Sequence, residues 1–479
     1  MNLPGMDKPA RKAFAGMDNR SKNGVKADIL YFFYSVSLAV LLLLSLPWWL
    51  FQMLRSGKYR AGLQERLGFP AERLARASRQ RSIWIHAVSV GEVLAVASLV
   101  RELREQQDLK DENRDREVFV STTTLSGQLL ARARFGEDHV FYLPLDLGFA
   151  IRPYLKLLRP DLLILAETEF WPALLRLAKA GGSRIAVVNA RISDRSFPRY
   201  KRFRWFFSPV LAQVDLFLAQ TEDDASRLRQ IGAPAERVHV SGNLKFDIRP
   251  AATSAIADSL RAAIHTDSNA PNSSIMVCGS TTEGEEQVLL QAFHEIAASY
   301  PAAVMVLAPR HPERFDKVAD LIASLDLPYQ RRSRWTPGQP ISKGVFLLDS
   351  VGELASVYAL ADVAFVGGSL FPTGGHNILE PAQYGVAVVT GPHTFNFRQI
   401  VNIFRQGEAL RVADASGLAR EILNLLGNAE ERQKLGQRAQ ALFAEHAGAT
   451  LRTLHALQPL ISESKVSESK PSEPKVETE

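Results

Sequence analysis

Two doubly wound α/β domains behind an apolar N-terminal segment are predicted by three features of the 479-residue sequence. Short apolar runs alternate with turn residues and helix-like stretches from Ile83 onward. The alternation comes in two series, separated by a stretch rich in Ala, Ser, Asp and Pro. One long uncharged run precedes both series. Alternating strand and helix implies a parallel sheet, because crossover helices cover both of its faces.

Residues 1–28 are polar, with Gly and Lys, and read as a mobile basic leader. Residues 29–54 hold no charge and include four consecutive leucines, Leu41 to Leu44. At about 1.5 Å per residue, this run can cross a hydrocarbon core of roughly 30 Å. Trp48 and Trp49 suit a membrane interface. The run is too long for a signal peptide, and no small-residue cleavage site comes after it. A full span and a deeply inserted interfacial helix both fit. Lys22 and Lys26 precede the run; Arg55, Lys58, Arg60 and Arg66 succeed it more closely. That nearer cluster predicts a cytoplasmic location for the two domains.

The first series, 80–247, contains strands predicted at 83–88, 118–122, 162–166, 185–188 and 216–219. Helices are predicted at 92–104 and 125–134, with a charged loop at 108–117. Residues 248–274 read as the interdomain connection. The second domain, 275–460, carries strands at 275–278, 303–307, 344–348, 363–366 and 387–390, and a helical stretch at 428–460. Residues 461–479 are low in complexity, with almost no large apolar side chains, and read as a disordered tail. Ligands in such sheets bind beyond the C-terminal strand ends. Two doubly wound domains with a cleft between them are therefore expected.

Composition narrows the class. At 46% hydrophobic and 23% charged, the chain has the balance of a globular protein. Cys278 is the single cysteine, so no intrachain disulfide forms, and no Cys/His cluster offers a zinc site. A net charge of +6 fits a solvated basic surface, or attraction to anionic lipid or a polyanionic substrate. No RNA-binding, zinc-finger or helix-turn-helix signature occurs, so nucleic acid is not expected as a partner.

Candidate chemistry gathers where strands end. In His86-Ala87-Val88-Ser89-Val90-Gly91-Glu92, Glu92 falls in a first helical turn. It either complements the helix dipole or serves as a general base. Ala166-Glu167-Thr168-Glu169-Phe170-Trp171-Pro172 puts two carboxylates at another strand end. Asn189-Ala190-Arg191 brings a guanidinium to the same rim, and Gly242-Asn243-Leu244-Lys245 adds a cation. In the second series, Gly279-Ser280-Thr281 precedes an acidic helix start at Glu283 to Glu286, where backbone N–H groups could face an anion. Pro309 and Arg310 end a further strand, and an arginine fork matches phosphate oxygens. Gly374-Gly375-His376-Asn377-Ile378-Leu379-Glu380 leads into a helix; its glycines permit close backbone approach to a ligand. Glu380 can accept from ribose hydroxyls. Neither a nucleotide-hydrolase phosphate loop nor a dinucleotide fingerprint is present. With no D-x-D motif and no metal-ligand spacing among His311, His376 and His393, no obligatory metal is expected.

At these residues the chain resembles the 3-deoxy-D-manno-octulosonic acid (Kdo) transferases of lipopolysaccharide synthesis. The likeness runs from about Ile29 to Leu460 and includes HAVSVGE, YLPLD, AETEFWP, NARISDRS, GNLKFD, LAPRHPERF, VGEL, FVGGS, GGHNILEPA and GPHTFNF in one order. The resemblance implies a GT-B fold, with an acceptor-side Rossmann-like domain and then a nucleotide-sugar-binding one across a cleft. It implies a CMP-Kdo donor, a lipid A precursor (lipid IVA) as acceptor, no cofactor or metal, and work at the cytoplasmic face of the inner membrane. It assigns Glu92 as general base, with Glu167 and Lys245 supporting the transition state. It assigns Pro309, Arg310, Val351, Gly352, Glu353, Asn377, Ile378, Leu379 and Glu380 to the segments that hold CMP. Ala387 replaces a more usual proline at a strand start and puts no role in doubt. Two rivals stay open: a membrane-tethered receptor for a phosphorylated ligand, which leaves Glu92 without work, and a GT-B transferase that uses a UDP-sugar.

Overall fold

The computed structural model describes residues 30–49, 51, 62–78, 81–108, 116–247, 255–264 and 274–462. The leader 1–28 and tail residues 463–479 lie outside them. The chain divides into two compact units. One comprises Met1–Asp247 with Gly448–Glu479, and the other Ile248–Ala447.

The first unit holds seven strands: β1 (Ser82–His86), β2 (Glu117–Thr122), β3 (Val140–Tyr142), β4 (Pro160–Ala166), β5 (Arg184–Ala190), β6 (Leu216–Ala219) and β7 (Val238–Val240). All pair in parallel, in the order β3-β2-β1-β4-β5-β6-β7. Every residue of β1 and β4 is buried, which explains their near-continuous apolar sequences. One face of the sheet packs Trp84, Phe119, Phe141 and Tyr154; the other packs Ile83, Ile85, Val120 and Ile164. Helices start on local signals. Thr124 and Thr221 cap theirs through Gly127 and Asp224 N–H groups, and Pro172 opens another at a position where its missing N–H costs nothing.

The second unit repeats the plan with β8 (Ile275–Thr281), β9 (Val304–Pro309), β10 (Tyr329–Arg331), β11 (Gly344–Leu347), β12 (Val363–Val366), β13 (Ala387–Thr390) and β14 (Arg411–Val412). Its parallel order is β10-β11-β9-β8-β12-β13-β14. Ala387 begins β13, paired with Val363. In each unit the strand order reverses beside the first strand, between β1 and β4 and between β8 and β12. That reversal opens a crevice at the strand ends.

Four expected boundaries are corrected. The 428–460 stretch is two helices, Ala429–His446 and Ala449–Ser462, broken at Gly448, whose φ of +84° suits glycine. The second of these does not belong to the nucleotide-side unit, as 275–460 implied. It returns to the first, where Ala449, Leu454 and Leu457 join the core cluster that holds Leu162, Ile164 and Val188 of β4 and β5. Asp247 clasps it, accepting from Gly448 N–H at 2.6 Å and from Thr450 N–H. Within 248–274, helix Ala255–Ile264 is no linker; Ile256, Leu260 and Ile264 pack into the second unit's core. Ile461 and Ser462, which fall within the expected tail, finish the last helix.

Helix Leu30–Trp49 lies within the predicted 29–54 run and has a mean hydropathy of 2.0. It is long and apolar enough to cross a membrane, which is consistent with membrane association.

Candidate active site

In the first unit, polar side chains collect beyond β1, β4 and β5. Helix Val90–Asp108 starts two residues earlier than predicted, so Glu92 occupies its first turn. Ser89 and Glu92 have capping-box spacing. Glu92 Oε2 accepts from Val88 N–H at 2.8 Å, and Oε1 from the Ser89 hydroxyl at 2.9 Å. Its side chain is nevertheless buried, with 8% of the residue exposed. Burial pushes the carboxyl pKa up to about 7; the two hydrogen bonds oppose this, and the charges of Glu167 and Glu169 reinforce it. The helix-start reading and the base reading therefore describe one side chain. A carboxylate poised near neutrality can both accept a proton and release it.

Glu167 succeeds β4 with a φ of +58°, a conformation held by its N–H donating to Val188 O at 2.9 Å. Lys245 Nζ lies 3.3 Å from Glu167 Oε1, and Arg191 Nε lies 3.9 Å from Oε2. Lys245 is carried on the single turn Leu244–Phe246, anchored where Leu244 N–H donates to Asn189 Oδ1 at 3.0 Å. The structure thus brings Glu92, Glu167 and Lys245 to one rim and adds Arg191. Glu169 joins them with its pKa raised by burial and then by Glu167. His86 is structural. Its Nδ1 contacts Ser121 Oγ at 2.9 Å, and burial lowers its pKa to about 4, leaving the ring neutral.

In the second unit, Arg310 leaves the end of β9, with its N–H on Thr281 O at 2.9 Å and its side chain exposed. Gly374 and Gly375 take φ of +110° and +76°, so the turn before Asn377 depends on glycine. His376 is held neutral, its pKa lowered to about 4 by burial and then by the charge of Arg310. Asn377 Oδ1 accepts from Leu379 N–H at 3.2 Å. Ile378 and Leu379 are fully buried, main chain included. The helix expected after them is one turn, Leu379–Ala382, too short for a substantial dipole. Val351 and Gly352 are exposed beyond β11, whereas the Glu353 carboxylate is engaged by Arg332 at 3.0 and 3.1 Å and by the Ser350 hydroxyl.

The acidic helix start holds an anion of its own. Glu285, fully buried, accepts from Thr282 N–H and hydroxyl and from the N–H groups of Gly368, Ser369 and Leu370, at 2.7–3.0 Å. Glu286 pairs with Arg314 at 2.6 and 3.0 Å and accepts from Thr281 Oγ1. Neither arrangement is complete locally, because Gly368, Ser369, Leu370 and Arg314 are distant in sequence.

The unit that carries the Glu92 rim has known relatives. Residues 61–248 match the family described as "3-Deoxy-D-manno-octulosonic-acid transferase (kdotransferase)". A Haemophilus influenzae 3-deoxy-D-manno-octulosonic acid transferase is 36% identical over 413 residues, covering 85% of this chain and 93% of that protein. The chain belongs to the Kdo transferase family. A Bordetella pertussis protein of the same description is 36% identical over 417 residues, 83% of this chain and 93% of its own. Residues 282–442 match glycosyl transferases group 1, so this Kdo transferase is a glycosyltransferase in both units. Its fold is GT-B. A Listeria monocytogenes crystal structure named as a UDP-N-acetylglucosamine 2-epimerase shares the fold alone, with a TM-score of 0.51 and 14% identity over 80% of this chain and 97% of that one.

Proposed function

We propose that this Kdo transferase moves Kdo from CMP-Kdo onto the lipid A precursor lipid IVA, inverting the anomeric centre, without a metal, at the cytoplasmic face of the inner membrane. One observation carries the reading: Glu92 is a buried carboxyl poised near pH 7, on the same rim as the Glu167–Lys245 pair. A binding protein has no use for that arrangement, and the family match supports a transferase.

In this mechanism Glu92 takes the proton of an acceptor sugar hydroxyl. The oxygen attacks the anomeric carbon as the bond to the CMP oxygen breaks, and CMP departs from the opposite face with the electron pair. Lys245, held by Glu167, offsets the donor's carboxylate or phosphate. Arg310 and Asn377 hold the CMP phosphate, with Ile378 and Leu379 buried behind Asn377 and with Val351, Gly352 and the Pro309 turn alongside, and Glu380 takes the ribose hydroxyls. The one-turn helix at Leu379–Ala382 moves most of the phosphate stabilisation onto Arg310.

Purified full-length enzyme, incubated with CMP-Kdo and lipid IVA, tests this. The expected result is CMP release together with a Kdo-bearing lipid by mass spectrometry, and competition by CMP but not UDP. Full turnover by Glu92→Gln sinks the assignment of the base. Inhibition by UDP alone sinks the donor.

A further inference from the structure

The N-terminal helix is fixed at its start. Tyr31, 4% exposed, belongs to the first unit's core cluster, and the Arg176 guanidinium lies 4.8 Å from its ring centre. Tyr34 Oη donates to Asp146 Oδ2 at 2.8 Å. Asp146 also accepts from Ala173 and Leu174 N–H groups at 3.0 and 2.8 Å, where helix Pro172–Ala180 begins. The chain is fixed to the same unit again just after residue 62. There Arg66 lies 4.5 Å from the Tyr142 ring centre and donates to Thr123 O, and Leu145 N–H donates to Arg66 O at 2.8 Å.

Those two attachments constrain topology. If Leu30–Trp49 crossed a bilayer, Trp49 would lie on the face opposite the first unit. Residues 50–61 would then have to recross. They are too few for a second helical span, which needs about 20 residues. They carry Arg55, Lys58 and Arg60, and a charge in hydrocarbon is costly. A non-helical, lipid-exposed backbone is not tolerated there.

We infer that this helix is a monotopic anchor, lying in the plane of the membrane interface with both ends on the side of the first unit. The inference rests on the membrane-association reading and decides between its two forms. Phe32, Phe33, Leu41, Leu43 and Leu44 are 63–78% exposed, a broad apolar surface that acyl chains can cover.

A second surface continues the contact. Arg199, Lys201, Arg202 and Arg204 are all exposed, with Phe203 and Trp205 between and beside them. The next residue, Phe206, has its ring centre 6.1 Å from those of both Trp205 and Tyr34. Basic and aromatic side chains therefore begin where the helix docks. That chemistry fits the headgroups of anionic phospholipid.

Single cysteines at Ser21, Ser56 and Ser226 test the topology in the full chain, because native Cys278 is buried. In spheroplasts of a Gram-negative host, all three variants should resist a membrane-impermeant maleimide and label in inverted vesicles. Labelling of Ser21→Cys or Ser56→Cys from outside overturns the inference while leaving membrane association intact. Recovery of the unmodified chain in the soluble fraction overturns the membrane reading itself. Replacing the four cations by Gln should weaken binding to phosphatidylglycerol vesicles at least about tenfold and leave binding to phosphatidylcholine vesicles unchanged. Unaltered binding to phosphatidylglycerol removes the basic patch from the anchor.

Discussion

The two units place a glutamate at the same topological point and use it in opposite ways. Glu92 comes after the first strand of one sheet and Glu285 after the first strand of the other. Each sits in the first turn of the next helix, at the point where strand order reverses. Glu285 is saturated by donors from Thr282, Gly368, Ser369 and Leu370. Glu92 has Val88 N–H and the Ser89 hydroxyl, with two further carboxylates nearby. A buried carboxylate surrounded by amides becomes a strut. One left short of donors keeps an affinity for protons and can do chemistry.

Removing the strut should have the largest effect. Glu285→Ala leaves three buried N–H groups without their partner, and is expected to cost about 3–5 kcal/mol. Denaturant unfolding of the full chain reads this in the transition of the second unit. An unchanged midpoint breaks the comparison. Glu92→Gln should instead spare the fold and CMP affinity while cutting turnover about 100-fold or more, measured as CMP release under saturating donor.

The same substitution sharpens the contrast through stability. The folded-state pKa of Glu92, about 7, lies above its ordinary value of 4.5. The folded form therefore binds the proton more tightly, and stability is lost as pH rises from about 4.5 to 7. Glu92→Gln should recover on the order of 2 kcal/mol at pH 8, and progressively less toward pH 5, in paired melts. In the native enzyme, log kcat should fall with unit slope below about pH 7 and level off above it. A flat profile removes Glu92 as the titrating base. Smallest is Lys245→Met, which deprives Glu167 of one of two cations; a loss of about tenfold in kcat/KM is expected, the size of one charge-assisted hydrogen bond.

Much of this was legible in the sequence because strands buried on both faces appear as apolar runs. Ten predicted runs correspond to β1, β2, β4, β5, β6, β8, β9, β11, β12 and β13. The four strands not predicted, β3, β7, β10 and β14, are two or three residues long and form the sheet edges. An edge strand lacks one neighbour, and β10 and β14 contain no fully buried residue, so no such pattern arises. At the rims, Glu92 and Glu167 stand out by their place after a predicted strand, and Lys245 by the Gly242-Asn243-Leu244-Lys245 motif near the domain junction. The strut role of Glu285 does not, since three of its four amide partners lie 83 to 85 residues away. The return of the last helix was hidden for the same reason: Asp247 and Gly448 are 201 residues apart.

That clasp also sets a schedule. Ribosomes add about 5–20 residues per second, so roughly 10–40 s separate the synthesis of Asp247 from that of Gly448. Throughout that interval β4 and β5 lack the cover that the last helix, with Leu454 and Leu457, later provides. The unit made first is thus completed last, while the continuous 248–447 stretch has all its own residues before the ribosome finishes.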